Sequence, residues 1–297
     1  GRSFSGPVTL TQALTRSINI IPVRLSVMLG EGKGAKAGRA KIIELAHKMG
    51  IHSPLPDSTS LPIGAAEVTV LDHTAAYATF PNAGMAVTAH AVLEIRTATG
   101  ELVYRFDRDG PKPRQVLSPQ VAMDMNAMMT KVVEEGTGRR AMLDGIKAAG
   151  KTGTTNAYRD AWFVGFTGNY VCGVWFGNDD YSPTNRMTGG SLPAMTWRQV
   201  MAYAHQGVEV KPIPGVAPGP VPAPPPARVA SAKPEPEMPA RPAVLTRRAV
   251  EVLVRLERLF DEAARAADAA LDAADAEAAP QRRSSLEPAQ ISAARSD

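Results

Sequence analysis

Within six positions, Gly150-Lys151-Thr152-Gly153-Thr154-Thr155 sets one cation among two small residues and three hydroxyls. Two incompatible chemistries fit those letters. From Gly145 to Thr152 the chain spells G-x-x-x-x-G-K-T, the loop that cradles nucleotide phosphates where a strand opens into a helix. The alternative is a lysine on a strand, with Thr152 and Thr154 two apart and therefore on a common face. The flanks decide. Arg139 to Asp144 has no β-branched run, and Gly153-Thr154-Thr155-Asn156 are four poor helix formers. Ala161-Trp162-Phe163-Val164-Gly165-Phe166 then reads as extended chain. Lys151 therefore belongs to a strand or its lip, and nucleotide binding stays only as a distant alternative.

The elements around it follow from periodicity and punctuation. Helices are expected over 9–16, from Pro22 to about Leu29, and over 38–49 with Ile42, Ile43, Ala46 and Met49 inward. Thr69 with Asp72 resembles a capping box that opens a helix through Thr79. Residues 90–106 read as a hairpin turning at Thr99-Gly100. Ser118-Pro119 caps a helix to about Val133, with Val121, Met125, Met128, Met129 and Val132 as core filling. Strands are expected near 147–155, 160–167 and 169–177, close enough for antiparallel neighbours. A turn at Asn178-Asp179-Asp180 and a last helix capped by Ser191 complete the body.

Composition changes after residue 210. Residues 212–242 hold 12 of the 25 prolines, an extended linker rather than a packed unit. The expected division is a domain over 1–210, a proline-rich linker over 211–245, an alanine-rich charged helix over 246–279 and a disordered tail over 280–297. Leu253, Leu256, Phe260, Ala263 and Ala267 give residues 247–274 a coiled-coil spacing, so a protein partner for that helix is one reading and a solvated lone helix the other. The formal net charge is +4, and the first 210 residues carry +4 of it against +2, −3 and +1 for the later segments. That balance is too mild for nucleic acid. Cys172, the only cysteine, is expected buried and inert in an apolar strand. The five histidines show no metal-ligand spacing, so neither metal nor cofactor is assigned.

Ser17-Ile18-Asn19 supplies a second motif, S-x-N, at a helix break. Gly6-Pro7-Val8-Thr9-Leu10-Thr11-Gln12-Ala13-Leu14 leads into it, and Glu135-Gly136-Thr137-Gly138-Arg139 leads towards the lysine segment. Arg159-Asp160-Ala161-Trp162-Phe163-Val164-Gly165 and Gly173-Val174-Trp175-Phe176-Gly177-Asn178-Asp179 follow. Over roughly residues 6–206 this text resembles the transpeptidase part of class A penicillin-binding proteins, nearest the 1A type of bifunctional murein synthases. The resemblance implies an α+β fold, an antiparallel sheet flanked by helices, lacking its N-terminal portion. It implies a serine acyl-enzyme that cross-links stem peptides ending in D-Ala-D-Ala and that binds β-lactams. In that family's pattern Ser17 relays a proton to the leaving amine, Lys151 attracts the terminal carboxylate and Asn19 holds an amide carbonyl. The Thr154 N–H is an oxyanion donor, and Thr152, Gly153 and Thr155 contact substrate.

One departure matters. The family's nucleophile lies in S-x-x-K, and no serine in this chain has a lysine three residues later. The expectation is that this motif precedes Gly1, together with a glycosyltransferase domain and a membrane anchor, and that these 297 residues do not acylate alone. The implied location is the bacterial envelope, at the periplasmic face of the inner membrane. A serine β-lactamase or D,D-carboxypeptidase uses the same motifs with water as acceptor, and a non-catalytic binding module is the remaining class. Taken singly, Ser17 and Asn19 read as helix caps, Lys151 as a solvated strand lysine, and Asp160 and Asp179 as loop hydrogen-bonders. Only the joint match over some two hundred residues outweighs those readings.

Overall fold

A computed structural model describes residues 6–217. The helix expected at 247–274, the tail over 280–297 and most of the proline-rich segment lie outside the described residues.

The chain opens with α1 (Leu10–Thr15), α2 (Ile20–Leu29) and α3 (Ala35–Lys48). Thr9 and Gln12 form a reciprocal capping box at the start of α1. α3 begins three residues before its expected start, because Gly38 does not break it. That glycine lets α3 cross α2 closely: a methyl group there would overlap the Ser26 carbonyl. α4 (Val70–Tyr77) starts with half of the expected box. The Thr69 hydroxyl accepts from the Asp72 N–H, while the Asp72 carboxylate turns to the His52 N–H at 3.0 Å.

A small lobe follows. β1 (Met85–Ala86) pairs with β4 (Arg114–Gln115), and β2 (Glu94–Arg96) pairs with β3 (Leu102–Arg105), which runs into the single turn α5 (Phe106–Asp109). The hairpin lies where expected, with Val92 and Leu93 outside its strands.

α6 (Pro119–Glu134) is capped by the Ser118 hydroxyl, which accepts from the Val121 N–H. Its buried face is rotated from the expected one. Val121 is 47% exposed, whereas Ala122, Asn126, Met129, Thr130, Val132 and Val133 are buried. Asn126 lies on that buried face, its amide nitrogen donating to the Phe80 and Pro214 carbonyls at 3.1 and 3.0 Å.

The main sheet is antiparallel in the order β5 (Ala149–Thr154), β6 (Asp160–Phe166), β7 (Val171–Gly177). Its register pairs Lys151 with Val164 and Gly153 with Trp162. Alternation divides the sheet between two cores. On one face Phe163, Cys172 and Val174 meet Trp197 and Met201 of α7 (Leu192–Ala204). On the other, Ala149, Phe166 and Val171 meet Met129, Leu14 and Tyr77. The Trp197 indole N–H donates to the Cys172 carbonyl at 3.0 Å, so the largest buried side chain leaves no polar atom stranded. Ser191 does not cap α7. Its hydroxyl closes the preceding loop on the N–H and C=O of Thr188.

The body also continues past residue 210. Ile213 is 2% exposed, Val216 packs on the second core and the Lys211 N–H donates to the Asn169 side chain at 2.9 Å. The architecture is α+β, antiparallel sheets with helices packed against them.

Candidate active site

Lys151 projects from β5, and its Nζ donates to the Ser17 Oγ at 2.8 Å, joining residues 134 positions apart. The same ammonium donates to the Thr152 carbonyl at 3.0 Å. Burial pushes its pKa down to about 8, so at neutral pH it is still mostly protonated but holds its proton loosely.

Ser17 is held in an unusual way. α1 ends in a Schellman turn: the Ile18 N–H donates to the Ala13 carbonyl at 2.9 Å and the Ser17 N–H to the Leu14 carbonyl at 3.1 Å. The turn places Ser17 at φ 55°, the left-handed position where glycine is usual. A serine there carries a backbone cost and keeps a hydroxyl that glycine would lack. Ser17 is exposed, with its Oγ on the lysine's side of the turn. Asn19 follows at the start of α2, exposed and with no side-chain bond to the helix amides, so its carboxamide is free of a capping role.

β5 has a strand neighbour on one side only among the described residues. Which of its amides face the open side follows from one contact. The Thr155 N–H donates to the Asp160 carbonyl at 3.0 Å across the turn into β6. Backbone groups alternate along a strand, so the Thr154 N–H points away from β6, to the free edge. That is the orientation an oxyanion donor needs.

The hydroxyls divide. Thr152 Oγ1 lies 2.7 Å from Thr137 Oγ1, and Thr154 Oγ1 accepts the Gly189 N–H at 3.0 Å. Thr154 therefore keeps its own proton to donate. Thr155, expected at the substrate, is turned elsewhere. Its hydroxyl donates to the Asp160 carboxylate at 3.1 Å and accepts the Asp160 N–H at 2.8 Å. Asp160 also accepts the Trp175 indole N–H at 3.0 Å, in keeping with a loop hydrogen-bonder. Gly153 sits opposite Trp162, and the backbone of Gly189 passes so close to Gly153 that a methyl group at 189 would overlap its carbonyl. Thr137, Gly189 and Gly190 were not singled out by sequence as site residues. Their signals were a T between two glycines and a Gly-Gly pair before a helix, both of which read as punctuation.

No group of three or more His, Cys, Asp or Glu among the described residues could hold a metal ion. Cys172 is half-buried against the α7 core, and burial pushes its thiol pKa up, away from reactivity.

The family model described as the penicillin binding protein transpeptidase domain matches residues 2–202. The chain belongs to that family. It is 32% identical over 259 residues to penicillin-binding protein 1A of Neisseria flavescens, covering 81% of this chain and 32% of the relative. It is 33% identical over 193 residues to penicillin-binding protein 1B of Haemophilus influenzae, covering 64% and 23%. This transpeptidase domain thus spans a third or less of the curated relatives named here. Among solved structures, the PonA1 protein of Mycobacterium tuberculosis in complex with penicillin V aligns with a TM-score of 0.61 and 26% identity, over 75% of this chain and 64% of that one. Penicillin-binding protein 1A of H. influenzae shares the fold at a TM-score of 0.58. Among the described residues of this domain, no helix is long and apolar enough to cross a membrane.

Proposed function

We propose that this chain carries the substrate-recognition and proton-relay half of a peptidoglycan D,D-transpeptidase. A serine attacks the penultimate D-Ala carbonyl of a stem peptide, D-Ala departs, and an amine of a neighbouring strand releases the acyl group. The observation that carries the reading is the Lys151–Ser17 hydrogen bond beside an open strand edge. Lys151 in its protonated form attracts the substrate's terminal carboxylate, and the Thr154 hydroxyl, with a proton to spare, donates to it. Ser17 accepts from Lys151 and passes a proton to the departing amine. The Thr154 N–H stabilises the developing oxyanion, a contact of a kind worth about 3–4 kcal/mol of barrier. Asn19 holds the substrate's amide carbonyl, and Gly153 leaves the strand edge bare for the peptide backbone. Thr152 supports the strand through Thr137, and Thr155 is assigned to the β5–β6 turn rather than to substrate.

No serine of the chain stands three residues before a lysine, so the nucleophile comes from a segment outside these residues. A place in the bacterial envelope, with a membrane anchor elsewhere in a longer protein, accompanies this reading. The test is labelling with a fluorescent penicillin. A protein joining this chain to an S-x-x-K segment is expected to hold the label through denaturation, Lys151→Ala to lose most of it, and the 297-residue chain alone to take none. Fast release of the label with turnover would instead make water the acceptor, as in a β-lactamase. Failure of the joined protein to label at all would overturn the proposal.

A further inference from the structure

We propose that Gly136 and Thr137 form a brace that sets the separation between the Ser17 and Lys151 side chains, making them positioning residues for the pair. The inference rests on reading that pair as a substrate-handling site.

Three elements meet at this brace. The Thr137 N–H donates to the Thr15 carbonyl, at the last residue of α1, at 3.3 Å. The Thr137 hydroxyl pairs with that of Thr152 on β5 at 2.7 Å. Its carbonyl fills the space a side chain at Gly190 would need, just before α7. The Ser17 element and the Lys151 strand therefore touch a common two-residue turn, although the first lies more than a hundred residues from it in sequence.

Gly136 has no room for anything larger. A methyl group there would overlap the Thr15 carbonyl oxygen and stand 2.9 Å from both the Thr15 methyl and the Val132 Cα. Its φ is not among the positive ones, so the need for glycine is one of space rather than torsion. The two neighbours differ in how far they can yield. Val132 is fully buried in the sixteen-residue helix α6, whereas α1 has only six residues, buried at Ala13 and Thr15 but with Leu10 55% exposed. On this proposal the shorter helix gives way, so a group added at 136 pushes α1, and Ser17 follows Thr15 by only two residues through the Schellman turn. Displacement of that turn opens the Ser17–Lys151 contact and admits water to the amine.

The readout is the titration of Lys151, followed by NMR of the 297-residue chain with labelled lysine and assigned by Lys151→Met. The wild-type midpoint is expected at about 8. Gly136→Ala should move it up by about one on the pH scale, towards an ordinary lysine, as the amine hydrates. Gly190→Ala, which presses on the Thr137 carbonyl from the opposite side, should move it in the same direction and carries the test where Gly136→Ala does not fold. Thr137→Ser should titrate as wild type. Folded Gly136→Ala or Gly190→Ala titrating as wild type would reduce the brace to ordinary packing and overturn the inference. A wild-type midpoint at the ordinary lysine value would instead sink the underlying site reading.

Discussion

The two walls that meet at the Ser17–Lys151 contact are built on opposite principles. Lys151 stands on a strand whose register is fixed by five further pairs with β6 and by cores on both faces. Ser17 stands on a left-handed turn at the end of a six-residue helix, with its serine exposed. One wall inherits its position from the global fold, the other from a few local and bracing contacts. The difference teaches where geometry is vulnerable: small changes near Ser17 should alter the site without unfolding the domain, while changes behind Lys151 should do the reverse.

The largest expected effect lies behind the strand. Trp197→Ala removes a fully buried indole stacked edge-on against Phe163 and should cost about 3–5 kcal/mol in urea unfolding. Leu10→Ala on the exposed side of α1 should cost less than about 1 kcal/mol by the same measurement. Equal costs would erase the contrast between the walls.

Next comes pH. The folded pKa of Lys151 is about 8 against 10.5 when unfolded, so between those values the unfolded chain binds more protons and stability rises with pH. The cost of burying the charge is fully present below pH 8 and is relieved by about 2–3 kcal/mol by pH 10. Above pH 10 half-buried Tyr77, its phenol pushed up to about 12 by desolvation, acts in the opposite sense. Lys151→Met should flatten the rise between pH 8 and 10 in parallel urea melts and leave the Tyr77 limb in place.

Smaller effects separate backbone from side chain. Ser17→Gly and Ser17→Ala both lose the hydroxyl, but only glycine is at ease at φ 55°. Thermal melts should therefore place Ser17→Gly above Ser17→Ala by about 1 kcal/mol. Thr154→Val removes the acceptor of the Gly189 N–H and should cost about 1 kcal/mol, with Thr154→Ser close to wild type.

The strand wall was the more legible from sequence. The extended, aromatic run from Ala161 to Phe166 and the strand expected near 169–177 place β6 and β7 within two residues of their ends, and the helix from Ser118 is equally plain. The facing of Ser17 and Lys151 came from the resemblance, not from periodicity, because nothing local records a contact across 134 residues. What escaped shares a physical cause. Asn126 reads as a surface residue until two distant carbonyls are seen to take its amide. Ser17 gives no hint of its left-handed backbone, since that position ordinarily calls for glycine. Thr155 was assigned by motif, and its hydroxyl went to the nearer partner, Asp160. Ser191 has the composition of a cap, but its hydroxyl closes the loop before it.

A double-mutant cycle in urea at pH 7.5, combining Ser17→Ala with Lys151→Met, weighs the contact that joins the two walls. Direct contact gives a coupling of about 1 kcal/mol or more. Strict additivity of the two single changes would mean that serine and lysine never meet.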